Sequence, residues 1–257
     1  MTLIKEYLVQ LLGKKKREDG RGLFDYRTIK VDVNPISKAN GSARVKIGET
    51  EVLVGVKLDV GEPFPDTPED GILITNAELS PLASPVFEPG PPREDAIELA
   101  RVIDRGVRES KAIALDKMCI KPKEKVWIIF VDVYPVNDAG NLLDAGALGA
   151  MIALKNAVFP EYDEKEDEVK HKVLTKKKLP MNKVPILCTF GKLDGALILD
   201  ATDREERCLD VRLSISTTED GHVAAMQKGG TGVLTDKEVE QLVDVALKKG
   251  KELRKLI

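Results

Sequence analysis

The stretch Asn137-Asp138-Ala139-Gly140-Asn141-Leu142-Leu143-Asp144-Ala145-Gly146-Ala147-Leu148-Gly149-Ala150 decides how the rest of the chain is read. It follows an apolar run, Val126-Trp127-Ile128-Ile129-Phe130-Val131, and leads into Met151-Ile152-Ala153-Leu154. A strand, a polar turn and the start of a buried helix give this pattern, and the helix is expected from about Leu142 to Val158. Free backbone N–H groups at such a helix start can hold an anion. Yet no Ser, Thr, Lys or Arg lies between Asn137 and Ala150. The small residues Ala145, Gly146, Ala147, Gly149, Ala150 and Ala153 instead predict tight packing, within the domain or against another subunit, because glycine inside a helix is unfavourable unless close contact offsets it.

Upstream of this stretch, Ala96, Leu99, Ile103 and Val107 fall on one face of a helix that starts near Arg93 or Glu94. Arg101, Arg105 and Arg108 lie opposite, within roughly 60° of one another at about 100° per residue. Such a stripe is either a solvated face paired with Glu98, Asp104 and Glu109, or a phosphate-binding face, since guanidinium forks match phosphate oxygens. Further back, alternation at Ile29, Val31 and Val33, then at Ala43, Val45 and Ile47, then over 50–56, predicts strands, with Gly48-Glu49 as a two-residue hairpin turn. With Ile72 to Leu79 added, this quarter reads as a β-meander. Pro63, Pro65 and Pro68 interrupt it, and residues 81–92 are Pro-rich and irregular. At the start, Leu3, Ile4, Tyr7, Leu8, Leu11 and Leu12 repeat at helical spacing up to Gly13. That helix stands ahead of the main body, and its apolar face needs a surface to rest on. The run Lys14-Lys15-Lys16-Arg17 reads as solvated charge.

Downstream, the acidic run 161–168 and the basic Lys176-Lys177-Lys178 predict a linker or exposed excursion. Strands follow at 184–190, 196–199, 209–215 and 223–226. Gly229-Gly230-Thr231-Gly232 forms a tight loop, and Thr235 with Glu238 gives a capping box before a last helix. The order of elements is α+β with two related halves. Asp200, Asp203, Glu205 and Glu206 form a carboxylate cluster after the apolar run that ends at Leu199. Carboxylates at a strand end can hold a divalent cation or act as general acid, and they are also common in exposed loops.

Composition narrows the classes. The chain has 257 residues, 42% hydrophobic and 32% charged, with 4% aromatic. That describes a globular protein with an aliphatic core, large enough for two ordinary domains. A net charge of −3 excludes a general polyanion binder, so any nucleic-acid contact has to be local. Cys119, Cys188 and Cys208 are scattered, with no disulfide framework or zinc spacing, and the two histidines are isolated. No metal site and no cofactor is expected. The thiols and the lack of an apolar run near 20 residues predict a cytoplasmic protein without a membrane span.

The chain also resembles a known family. Arg17-Glu18-Asp19-Gly20-Arg21 is similar to the R-x-D-G-R signature of the RNase PH family, and Gly41 to Thr50 is similar to its G-S-A-x-V-x-x-G-x-T hairpin. Within the family the likeness runs to archaeal exosome ring subunits that pair with a catalytic sister, through Asn137 to Ala145, the N-terminal helix and Arg101-Val102-Ile103-Asp104-Arg105. The resemblance implies an RNase PH-like domain (a β-α-β-α core, ribosomal S5 domain 2-like) with a second similar half. The divisions it implies are an N-terminal helix and arm over 1–27, a first half over 28–160, the excursion over 161–181 and a second half over 182–257. It also implies a hexameric ring of three heterodimers with RNA-binding cap proteins. Single-stranded RNA would pass through the pore and be degraded from its 3′ end, with inorganic phosphate as co-substrate.

One departure from the family weighs against catalysis in this chain. Active members follow the segment matching Asp144-Ala145-Gly146 with Ser or Thr and then Arg, which hold the attacking phosphate. Here Ala147, Leu148 and Gly149 follow, and these side chains donate nothing. The family's catalytic acid matches Asp200, and its second carboxylate, an Asp, matches the longer Glu206. The resemblance therefore implies a non-catalytic subunit with a vestigial pair, Asp200 and Glu206, that holds RNA through Arg101, Arg105 and Arg108 and completes its partner's site. The alternative is an active phosphorolytic 3′–5′ exoribonuclease with Asp200 as general acid.

Overall fold

The computed structural model describes residues 2–257; Met1, the first residue of the expected arm, lies outside the described residues. A helix α1 (Thr2–Gly13) precedes strands β1 (Ile29–Val33), β2 (Gly41–Ile47), β3 (Thr50–Gly61) and β4 (Ile72–Ala77). Helix α2 (Glu94–Glu109), strands β5 (Cys119–Lys121) and β6 (Lys125–Asn137), and helix α3 (Leu142–Asn156) complete the first half. A hairpin, β7 (Val158–Asp163) with β8 (Glu168–Lys178), leads to β9 (Ile186–Leu193), β10 (Ala196–Leu199), a one-turn helix α4 (Asp203–Glu206), β11 (Val211–Thr217), β12 (Val223–Gly229) and α5 (Asp236–Leu253). The architecture is α+β, as expected.

The first sheet has the order β1-β2-β3-β6-β4, with β5 added beside β6. Ile47 pairs with Thr50, so Gly48-Glu49 is the two-residue turn, and Gly48 takes φ +59 as such turns require. The meander stops at β3. β6 runs antiparallel along β3 from Asn137 to Val126, and β4 lies parallel on the far side of β6. β4 is therefore not the fourth strand of a meander. A parallel pair needs a long crossover, and the segment that carries α2 provides it. The second sheet, β10-β9-β11-β12, is antiparallel throughout.

Helix α3 lies between the two sheets and packs on β2, β3 and β9. Its small residues make that placement possible. A Cβ on Gly149 would sit 2.7 Å from a Val54 methyl, and one on Gly146 would sit 2.9 Å from Ile103 and 3.3 Å from Val133. The glycines thus serve packing within the domain. Alternate residues of β9 face opposite ways: Leu187 lines a crevice with α2 and α3, and the Cys188 thiol points at the Ala246 carbonyl of α5. Val52, Val54, Val56 and Leu58 are fully buried beneath α3, each contributing about 1.5–3 kcal/mol.

Helix α1 rests on the second half of the chain. Leu8 and Leu12 pack with Leu193, Ile198, Ala201 and Cys208, while Leu3, Ile4 and Tyr7 stay exposed. The stretch expected as a linker or excursion, 161–181, is largely the β7–β8 hairpin, and β8 is exposed along most of its length. Its strands carry charge on both faces, so no apolar alternation announces them.

Candidate functional site

Asp200 follows β10, has φ +53 and is fully buried. Its carboxylate accepts five hydrogen bonds: from Arg21 Nη1 (2.9 Å), Arg27 N (2.8 Å), Arg27 Nε (2.9 Å), Arg27 Nη2 (2.7 Å) and Asn141 Nδ2 (2.8 Å). Burial alone would lift its pKa. The hydrogen bonds and charge of Arg27, with Asn141, outweigh that and hold the carboxyl below its ordinary range. Arg27 also donates to the carbonyls of Ala139 (2.8 Å) and Gly140 (2.9 Å), which ties the 137–141 turn to the hub. Gly140 has φ +93, and a Cβ there would stand 2.5 Å from the Asp203 backbone, so this position requires glycine.

The arm brings in a second buried pair. Arg17 donates through Nε to Glu205 Oε1 (2.9 Å), through Nη2 to Glu205 Oε2, through Nη1 to the Leu199 carbonyl (2.6 Å) and through Nη2 to the Asp200 carbonyl (2.8 Å). Both arginines of the Arg17–Arg21 signature therefore close on Leu199–Glu205. Bidentate guanidinium contacts of this kind fix geometry as well as charge. The carboxylate cluster is thus dispersed among roles, with Asp200 and Glu205 locked in ion pairs and Asp203 paired with Arg207 at the surface (2.8 Å).

Asn141, the N-cap of α3, stands between Asp200 and Glu206. Its side chain donates to Asp200, and its backbone N–H donates to Glu206 (2.8 Å). Burial pushes the Glu206 carboxyl up to about 7, and Asp138 adds to the shift. Glu206 faces an open cleft lined by Glu98, Arg212, Gly229 and Gly230. Asp144, in the first turn of α3, accepts from Tyr26 Oη (2.7 Å), Asn141 Nδ2 (3.0 Å) and Thr189 N (3.0 Å). Burial pushes it up to about 6, and its Oδ1 has no partner. Asp200 is thus an ionised anchor at neutral pH. Five donors close on its carboxylate oxygens.

Ala147, Leu148 and Gly149, where the resemblance places a phosphate-holding segment, lie against packed neighbours. Leu148 is buried, Gly149 lies on Val54, and only a crevice of about 10 Å³ opens beside Ala147, lined by Val102, Ile103, Met151 and Leu187. The glycine-rich loop is structural as well: Gly232 N donates to the Asp210 carbonyl (2.8 Å), and a Cβ on Gly230 would meet that same oxygen at 2.9 Å. Among the described residues, no group of His, Cys, Asp and Glu is arranged to hold a metal ion.

On α2, Arg101, Arg105 and Arg108 are exposed and line one shallow depression with Thr75, Asp104 and Glu109. Arg108 donates to Asp104 (2.9 and 3.0 Å) and to the Leu73 carbonyl (2.9 Å). Arg105 donates to Gln227 Oε1 (3.0 Å), a neutral partner. Arg101 has no side-chain partner among the described residues. Glu98 pairs with Arg212 instead of with the stripe. Two of the three guanidinium groups therefore remain free of carboxylates. The sequence shows the signature arginines but not their place at Asp200. Tyr26, Arg27 and Asn141 were missed as hub residues; their one local signal is Asn141, a capping residue three positions before Asp144.

Two family domains match the sequence: the 3′ exoribonuclease family, domain 1, over residues 25–160, and domain 2 of the same family over residues 183–249. The chain belongs to this RNase PH family. It is similar to the exosome complex component Rrp42 of Pyrococcus furiosus, with 51% identity over 99% of this chain and 92% of that protein. The Rrp42 of Thermococcus kodakarensis is 48% identical over 100% of this chain and 94% of that protein. Among solved structures, a chain of the Archaeoglobus fulgidus exosome with RNA bound to the active site superposes with a TM-score of 0.91 at 44% identity, covering 99% of this chain and 97% of that one.

Proposed function

We propose that this chain is the non-catalytic subunit of an archaeal exosome ring. It pairs with a catalytic RNase PH-like sister in three heterodimers, beneath RNA-binding cap proteins, in the cytoplasm. In this reading the sister carries out 3′-to-5′ phosphorolysis and binds the inorganic phosphate, and this chain needs no cofactor. Arg101, Arg105 and Arg108 hold the RNA backbone and complete the sister's site. Contacts of this kind position a strand without reading its sequence. The observation that carries the reading is the stretch Ala147-Leu148-Gly149, whose side chains offer no donor to an attacking phosphate and whose Leu148 and Gly149 are packed against the domain. Losing the group that positions a nucleophile removes many orders of magnitude in rate. The ionised Asp200 speaks against the active-enzyme alternative.

The test is reconstitution. The isolated chain, given single-stranded RNA and phosphate, is expected to release no nucleoside diphosphate, and the mixture with a catalytic sister is expected to release it. Phosphorolysis by the isolated chain overturns the proposal.

A further inference from the structure

The β7–β8 hairpin has no part in the reading above. From Val169 to Asn182 the chain carries Lys170, Lys172, Lys176, Lys177, Lys178 and His171, with no Asp or Glu, in a protein whose net charge is −3. At the tip, Glu164, Glu166 and Glu168 are exposed and form no ion pair among the described residues, while the other acids are engaged. Asp167 is taken by Lys125 and by Tyr162 Oη (2.7 Å). Asp163 accepts from the turn's own N–H groups and, with Glu161, pairs with Lys170. Lys177 lies over the Phe159 ring, 4.9 Å from its centre. Lys172, Lys176 and Lys178 are exposed and form no ion pair among the described residues.

Lysines often serve to blunt a free sheet edge, but that purpose is already met here by bulges. Glu161 pairs with Lys170, Pro160 with Leu174 and Val158 with Lys178, so residues 171–173 and 175–177 have no counterpart on β7. What remains is an exposed group of cations with Val173 and Leu174 beside it, both nearly half exposed. The run from Lys170 to Lys178 lies beside only Glu161 to Val158 of β7, roughly 10 Å at about 3.3 Å per residue, so the lysines are gathered on a compact, bulged patch. Closely spaced free cations of this kind can hold neighbouring phosphates of a flexible single strand. It is separate from the α2 face, since no β8 residue lines the depression under Arg101 and Arg105.

We propose that β8 is a second RNA-contact surface, on which Lys172, Lys176 and Lys178 hold the phosphate backbone of a single strand. The proposal rests on the RNA-binding reading above and deepens it: a strand long enough to reach both surfaces is held at two places, which raises its affinity beyond that of either.

The experiment uses the reconstituted ring with the triple variant Lys172→Gln, Lys176→Gln and Lys178→Gln. Binding is measured with a short RNA that occupies only the α2 face and with a much longer one, across a range of salt. The expected result is a loss of about tenfold or more in affinity for the long RNA at low salt. The dependence of log affinity on log salt should flatten by about 2, from roughly 0.7 per lost single-strand contact. Assembly and short-RNA affinity should be unchanged. Unaltered long-RNA affinity and salt slope overturn the proposal. So does loss of a cap or sister protein with RNA affinity intact, which makes the hairpin a protein interface. Rings with Arg101→Glu and Arg105→Glu serve as the reference. If these also bind RNA normally, the functional reading itself falls; if they weaken and the hairpin variant does not, only the hairpin proposal falls.

Discussion

Three arginines converge on Asp200 and Glu205, and three more line α2, yet the two sets do different work. Arg17, Arg21 and Arg27 have their guanidinium groups turned inward, shared between the carboxylates of Asp19, Asp200 and Glu205 and five backbone carbonyls. Arg101 and Arg105 are in solvent with no carboxylate. Burial makes the difference. A charge removed from water has to be fully paired or it is destabilising, so the inner set is committed to the fold. A charge left in water keeps its donors free for a ligand, and its pairs contribute little to stability.

Breaking the inner set should have the largest effect. Arg17→Ala leaves Glu205 buried without its partner, and urea denaturation should show a loss of about 3–5 kcal/mol. A loss under about 1 kcal/mol would mean that the hub is not a stability element. Next comes the pH dependence of Asp144. Its folded pKa, about 6, lies above the ordinary value of 3.8. Between those values the folded state binds more protons than the unfolded one, so this group's contribution falls as pH rises through that window. Asp144→Asn removes the effect, and its stability relative to the natural protein should improve by roughly 1–3 kcal/mol between about pH 4 and pH 7. Parallel pH profiles would show that Asp144 does not titrate there. Asp200, held below its ordinary range, acts in the opposite direction: its contribution is present above the unfolded value and is lost as pH falls through the folded one.

The outer set should give the smallest stability changes. Arg101→Ala and Arg105→Ala are expected to leave stability within about 0.5 kcal/mol while weakening RNA capture by the assembled ring. Arg108→Ala loses an i,i+4 pair with Asp104, about 0.3–0.5 kcal/mol. Because Arg108 already spends its donors on Asp104 and Leu73, its removal should affect RNA binding less than that of Arg101. The reverse ranking in a filter-binding titration would break the distinction between the two sets.

Much of the fold was legible in the sequence because local periodicity reports burial on one face. The alternation in β2 and β3, the Gly48-Glu49 turn, the apolar stripe of α2 and the capping box at Thr235 all appear where their patterns lie. The place of β4 was not legible, since a strand's pattern shows which face is buried and not which neighbour it pairs with. The β7–β8 hairpin escaped because both of its faces carry charge. At the site, the absence of donors at Ala147 and Leu148 was visible in the residues themselves. The roles of Arg17, Arg21 and Arg27 at Asp200 and Glu205 were not, because those two carboxylates lie between 173 and 188 residues away along the chain.

The opening stretch shows where the two kinds of information divide. The sequence by itself determined that 137–150 is a strand-to-helix turn without Ser, Thr, Lys or Arg and with no donor at Ala147 or Leu148, since residue type alone settles which donors exist. Only the tertiary structure decided what the small residues serve, because close approach belongs to pairs of elements. Gly146 and Gly149 admit Ile103, Val133 and Val54, and Gly140 admits the backbone at Asp203. It also decided that Asp200 is an anchor. A carboxylate's chemistry depends on the charges and donors around it, and here these come from the arm and from the turn before α3, segments that meet only when the chain is folded.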